Sequence, residues 1–219
     1  MALILNIDTS VETASVCLAK DGDVLMLEKN DQQHDHAAWL HVAIKKIMQG
    51  TNLPLTSLNA VAVTIGPGSY TGLRVGLSAA KGFCFALQKP LIAINTLLVM
   101  ANAVKETADL LCPMIDARRM EVFTAVYTNS LEIIKEPASM IIDENSFSDL
   151  LAQKSICFSG NGSPKLKSII KNSKAVFSET IADAGNMINF SETCYEKKQF
   201  ADIAYTGPLY LKEFYSPGR

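Results

Sequence analysis

Apolar residues follow two rhythms along this chain. Leu3–Ile7 is a short apolar run that ends in Asp8-Thr9-Ser10. Ala14–Leu18 is a second run, and it reaches the turn signal Lys20-Asp21-Gly22-Asp23 before a third at Val24–Glu28. This spacing predicts a β-meander with Asp8 at its first bend. From His36 to Met48 the period changes, with Leu40, Ala43, Ile44 and Ile47 at i, i+3, i+4 and i+7 of a helix. Trp39 and Val42 lie off that stripe, and Gly50 follows as a C-cap. Ala60–Ile65 reads as a buried strand running into Gly66-Pro67-Gly68-Ser69-Tyr70-Thr71-Gly72. A helix over Leu73–Gln88 is stopped by Lys89-Pro90, then come a strand (Leu91–Ile94) and a helix from Thr96 to about Thr107. Strand–helix–strand order predicts a parallel crossover joined to the meander.

The second half restates the opening. Pro113-Met114-Ile115-Asp116-Ala117-Arg118 is, like Leu5-Asn6-Ile7-Asp8-Thr9-Ser10, an apolar run that bends at Asp and precedes another strand, here Glu121–Tyr127. Ser155–Phe158 is a further strand, ending in Gly160-Asn161-Gly162-Ser163-Pro164. The tail from Tyr205 to Arg219 reads as two Pro-centred turns around a short apolar piece. A repeat of this period predicts a duplicated α/β domain. The expected lobes are residues 1–104 and 105–219, the last residues packing back on the first lobe. Each lobe is expected to carry one aspartate at the lip of a cleft.

Composition narrows the classes. With 219 residues, 48% apolar and 19% charged, the chain can bury a sizeable core. No apolar run approaches the roughly 18–20 residues of a membrane span, and no basic n-region precedes a cleavage site. A cytoplasmic, non-membrane protein is expected. Five cysteines without a CxxC pair predict reduced, mostly buried thiols. The net charge of −2 argues against a generally basic nucleic-acid binder. It hides an asymmetry, because His36 to Lys105 contains no Asp or Glu while Lys45, Lys46, Arg74, Lys81, Lys89 and Lys105 are all basic.

That acid-free stretch holds the candidate chemistry. The glycines of the 66–72 loop are spaced GxGxxxG, which is neither a Walker loop nor a dinucleotide fingerprint. Two readings stay open. The loop either offers N–H groups to an anion, with Gly66, Gly68, Ser69 and Arg74 around it, or is a tight turn that lets a helix pack on a sheet. Gly72, Gly76 and Ala80 then recur every fourth residue in a helix apolar all round. Small residues permit close helix contact, so a partner surface is expected over Trp39, Val42, Lys45, Lys46, Leu73, Gly76, Leu77, Ala80 and Phe83. His34, His36 and His41 cluster, but the helical pair is i, i+5, which does not face one ion, and no metal site is expected. Asp8 and Asp116 either hold a hydrated magnesium ion or cap their bends.

Three segments then carry a resemblance. Ile7-Asp8-Thr9-Ser10, the loop from Gly66 through Arg74-Val75-Gly76, and Ile115-Asp116-Ala117-Arg118 with Glu121-Val122-Phe123 closely resemble the bacterial TsaB (YeaZ) family of tRNA threonylcarbamoyladenosine biosynthesis proteins. The resemblance is strong to about Tyr127 and thinner beyond, apart from Gly160-Asn161-Gly162. It implies an actin-like ATPase fold of two ribonuclease-H-like lobes, each a mixed sheet with helices. In that superfamily two Asp hairpins hold phosphate and magnesium, and a Gly-rich turn holds adenosine. It therefore marks Asp8, Thr9, Ser10, Gly66, Gly68, Ser69, Arg74, Asp116, Arg118, Gly160 and Gly162 as a degenerate nucleotide site. Asp8-Thr9-Ser10 lacks the expected hairpin glycine, Arg118 stands where the second hairpin has Gly, and the metal-binding HxxxH helix of the catalytic paralogue is missing. The resemblance thus implies a non-catalytic subunit that pairs with the transferase TsaD and the small ATPase TsaE and forms a homodimer when alone. It meets tRNA only through the complex. No intrinsic cofactor is expected, with ATP and magnesium entering through the complex. The competing readings are an ATPase or small-molecule kinase of the same superfamily and, against the histidine spacing, a metalloprotease.

Overall fold

The computed structural model describes residues 2–30 and 35–212. His34 and the end of the tail lie outside these residues. The chain forms ten strands and six α-helices among the described residues, grouped into two compact units. The first unit is built from residues 1–99 and 181–208, the second from 100–180 and 209–219. The boundary expected at 104/105 therefore lies at 99/100, and the segment that returns to the first lobe is 181–208, whereas the last residues, expected there, group with the second.

In the first lobe, β1 (Leu3–Asp8), β2 (Ala14–Lys20) and β3 (Asp23–Asn30) form the predicted meander. Helix α1 (His36–Gly50) leads to β4 (Ala60–Gly66), helix α2 (Tyr70–Leu87) and β5 (Leu91–Asn95), and the sheet order is β3-β2-β1-β4-β5. Strand β4 runs parallel to both β1 and β5, as the crossover requires. The alternation of β1 sends Leu3, Leu5 and Ile7 into one core with Leu40, Ile44 and Ile47 of α1 and Leu77, Ala80 and Cys84 of α2. Each such aliphatic contributes about 1.5–3 kcal/mol when removed from water. The predicted α1 stripe is the buried one, but Gly50 ends the helix itself and Thr51 is the cap. On the other parity of the strands, Ser15 Oγ accepts the amide of Ala184 at 2.8 Å, tying the returning segment and helix α6 (Ile188–Glu196) into this lobe.

The second lobe repeats the plan. Helix α3 (Thr96–Ala103) is shorter than expected and leads to β6 (Leu110–Asp116), β7 (Glu121–Thr128) and β8 (Ile133–Ile141). Then come α4 (Ser148–Gln153), β9 (Ile156–Ser159), α5 (Ser163–Lys167) and β10 (Ala175–Phe177). The order β8-β7-β6-β9-β10 matches the first sheet strand for strand, including a central strand antiparallel to one neighbour and parallel to the other. The two-lobe α/β architecture expected from the repeat is thus the observed one. Its core gathers Cys112, Met114, Val122, Phe147, Phe158 and Leu166. Among the described residues no helix is long and apolar enough to cross a membrane.

Candidate functional site

Asp8 ends β1 and is only 1% exposed. Its Oδ1 accepts from Ser10 N at 3.0 Å, Ser10 Oγ at 2.6 Å and Thr64 Oγ1 at 2.7 Å. A buried carboxylate demands such donors, and its own turn and the neighbouring strand supply them. The glycine loop lies directly on this turn. Ser69 N donates to Ser10 O at 2.7 Å, Thr9 Oγ1 donates to Gly72 O at 2.7 Å, and Ser69 Oγ caps α2 by accepting from Gly72 N at 3.2 Å. A Cβ on Gly68 would sit 2.2 Å from Ser10 O, one on Gly72 2.0 Å from Thr9 O, and one on Gly76 2.3 Å from Thr9 Oγ1. The glycines permit backbone approach to the Asp8 turn, and the Ser69 and Gly72 amides are already taken by Ser10 O and Ser69 Oγ. Of the two readings of the loop, this geometry supports the packing turn. Gly66, at φ +120°, ends β4 where its register with β5 shifts. Arg74 lies over the Tyr70 ring, 4.0 Å from its centroid, on the outer face of α2.

The corresponding hairpin of the second lobe is built differently. The Asp116 side chain is 42% exposed and its Oδ1 accepts from Arg118 N at 2.6 Å and Lys165 Nζ at 2.7 Å. Burial tends to raise this carboxyl, but the Lys165 ammonium and the Arg118 amide outweigh it and hold it below the ordinary aspartate range. Asp116 N donates to Asn161 Oδ1 at 2.9 Å, and Gly162 N donates to Met114 O at 3.0 Å, so the Gly160-Asn161-Gly162 turn is laced to β6. Gly160 has φ +83°, and a Cβ on it would lie 2.5 Å from Met114 O. Arg118, in the place of the hairpin glycine, keeps the left-handed backbone at φ +69°, followed by Arg119 at +49°.

These residues do not fit the magnesium nucleotide that the fold family implies. Asp8 is buried with three donors already on its Oδ1, and Asp116 already holds a cation of the chain's own. Among the described residues no group of three or more His, Cys, Asp or Glu is placed to hold a metal. His41 instead rests against Phe83, ring centroids 6.0 Å apart. The four buried thiols are poor nucleophiles: burial pushes Cys17 and Cys112 up to about 12 and Cys84 and Cys157 to about 11.

The expected helical surface needs correction. Leu73, Gly76, Leu77 and Ala80 are buried against their own sheet, so the small-residue stripe serves this lobe and not a partner. What remains open is the opposite face. Val42 on α1 is 66% exposed and Phe85 on α2 80%; Trp39 and Phe83 are half-buried, Lys45 is exposed, and Lys46 is paired to Glu28 at 2.8 Å. Phe85 is the residue that sequence reasoning passed over. It lies one position past Cys84 on the buried stripe, which turns it away from the sheet.

The family model described as TsaD: tRNA N6-adenosine threonylcarbamoyltransferase matches residues 29–209. The chain is 36% identical over 127 residues to the tRNA threonylcarbamoyladenosine biosynthesis protein TsaB of Escherichia coli (strain K12), a match covering 57% of this chain and 54% of that protein. It therefore spans about half of that relative's length. Against TsaB of Bacillus subtilis (strain 168) it is 26% identical over 217 residues, covering 95% of this chain and 93% of the relative. The solved structure of YeaZ from Pseudomonas aeruginosa superposes with TM-score 0.85 at 22% identity over 96% of this chain and all of the other, a likeness of fold. The chain belongs to the TsaD family, and within it to the TsaB/YeaZ group of tRNA threonylcarbamoyladenosine biosynthesis proteins of the actin-like ATPase superfamily.

Proposed function

We propose that the chain is a non-catalytic subunit in threonylcarbamoyl modification of tRNA adenosine, acting by binding its catalytic TsaD-type paralogue in the cytoplasm. One contrast carries the proposal. Both aspartate hairpins are occupied by the chain's own donors, while the outer face of α1 and α2 leaves Val42 and Phe85 exposed in a segment free of acidic residues. Large apolar groups so exposed suit a protein interface, and the depletion of charge suits its centre. The paralogue is the occupant, a second copy covers the same face when the chain is alone, and a TsaE-type ATPase joins the pair. Nucleotide, magnesium and tRNA enter through the assembled complex.

The test is co-purification with the paralogue. Val42→Glu/Phe85→Glu, folded by circular dichroism, is expected to weaken capture at least about tenfold by placing unpaired charge in a desolvated contact. Unchanged capture overturns the interface. Magnesium-dependent ATP turnover by the isolated chain that disappears in Asp116→Asn overturns the non-catalytic role and favours the ATPase alternative.

A further inference from the structure

Lys165 sits on α5, immediately after the Gly160-Asn161-Gly162 turn, and its side chain is 17% exposed. Its Nζ lies 2.7 Å from Asp116 Oδ1 and donates to the Glu121 carbonyl oxygen at 3.0 Å. The ammonium is thus coordinated by a carboxylate and a carbonyl across the mouth of the β6–β7 hairpin. The neighbouring Glu121 carboxylate is held by Lys212 and Ser139. We infer that Lys165 Nζ takes the role a hydrated divalent cation would have on Asp116, so that the second lobe carries its counter-ion covalently and its hairpin is closed to metal. Magnesium keeps several waters and gains little from one carboxylate already neutralised. A tethered ammonium also competes at an effective concentration that free ions in solution do not match. The inference concerns this lobe's own residues and stands whether or not the paralogue binds at α1 and α2.

Manganese binding to the full chain, read by loss of the free-ion electron paramagnetic signal, tests it. The unmodified chain and Asp116→Asn are expected to give the same titration. Lys165→Met is expected to bind manganese about tenfold more tightly, the scale of removing one like charge at contact range in a nearly water-like dielectric, as the exposure of Asp116 requires. That gain should vanish in Lys165→Met/Asp116→Asn and not arise in Lys165→Arg. An Asp116-dependent manganese site in the unmodified chain overturns the inference, as does a folded Lys165→Met that gains nothing. Should Lys165→Met not fold by circular dichroism, the comparison of the unmodified chain with Asp116→Asn decides alone.

Discussion

The two lobes place an aspartate at the same point of the same topology and then treat it in opposite ways. Asp8 is sunk to 1% exposure under a loop of glycines and satisfied by hydroxyls and an amide. Asp116 stays 42% exposed and is neutralised by a lysine contributed from 49 positions further along the chain. The difference shows that a duplicated strand–Asp–strand motif specifies where a carboxylate stands and not what it does. Its role is decided by what the next crossover brings over it, α2 with its glycines in one lobe and α5 with Lys165 in the other.

Substitutions that break this contrast should rank by burial. Gly72→Ala has the largest expected effect. The added methyl collides with the Thr9 carbonyl, and the cost of about 3 kcal/mol or more exceeds the roughly 1 kcal/mol that alanine gains in a helix. Urea unfolding should show this as a lower midpoint. Next comes Asp8→Ala, which strands the Ser10 and Thr64 donors in the interior at about 3 kcal/mol, whereas Asp116→Ala should cost about 1 kcal/mol or less because its pair is partly solvated and screened. Equal losses for the two would erase the distinction drawn between the lobes.

A pH series sharpens it further. The native Asp116 carboxyl lies below its unfolded value, so the stability it supplies is complete above about pH 4 and is lost as pH falls through the lowered native value. Asp116→Asn should therefore be the less stable chain near neutrality, and urea midpoints of the two should converge as pH falls through the lowered native value. The smallest expected change is a gain. Gly82 lies exposed in α2 and a Cβ there would meet nothing within 4 Å, so Gly82→Ala should raise stability by about 0.5–1 kcal/mol in the same denaturation assay. A loss at Gly82 would show that α2 tolerates no methyl on either face.

Much of the fold was legible because it is local. The α1 stripe of Leu40, Ala43, Ile44 and Ile47 and the runs ending at Asp8 and Asp116 are read within a few residues, and each lies where periodicity put it. Strand β10 has only Ala175-Val176-Phe177, too short to show a period, and β8 carries Lys135, Glu136 and Pro137, which read as loop. The glycine stripe of α2 is legible as a stripe, but its neighbour is not. Spacing shows that residues share a face, and only packing shows what lies against it. The return of Ile181–Pro208 to the first lobe rests on contacts such as Ser15 to Ala184, 169 positions apart, which no window along the chain contains.

By itself, then, the sequence determined the repeat, the α/β class, the two aspartates, the glycine loop and the acid-free stretch. These follow from alternation, helical period and composition, which are properties of neighbouring residues. Only the tertiary structure decided that the glycines face Thr9 and Ser10, that Phe85 rather than Gly76 points outward, and that Lys165 reaches Asp116. Those outcomes depend on which distant side chain fills a given space, because dense packing and the satisfaction of buried charge are settled among elements brought together by folding.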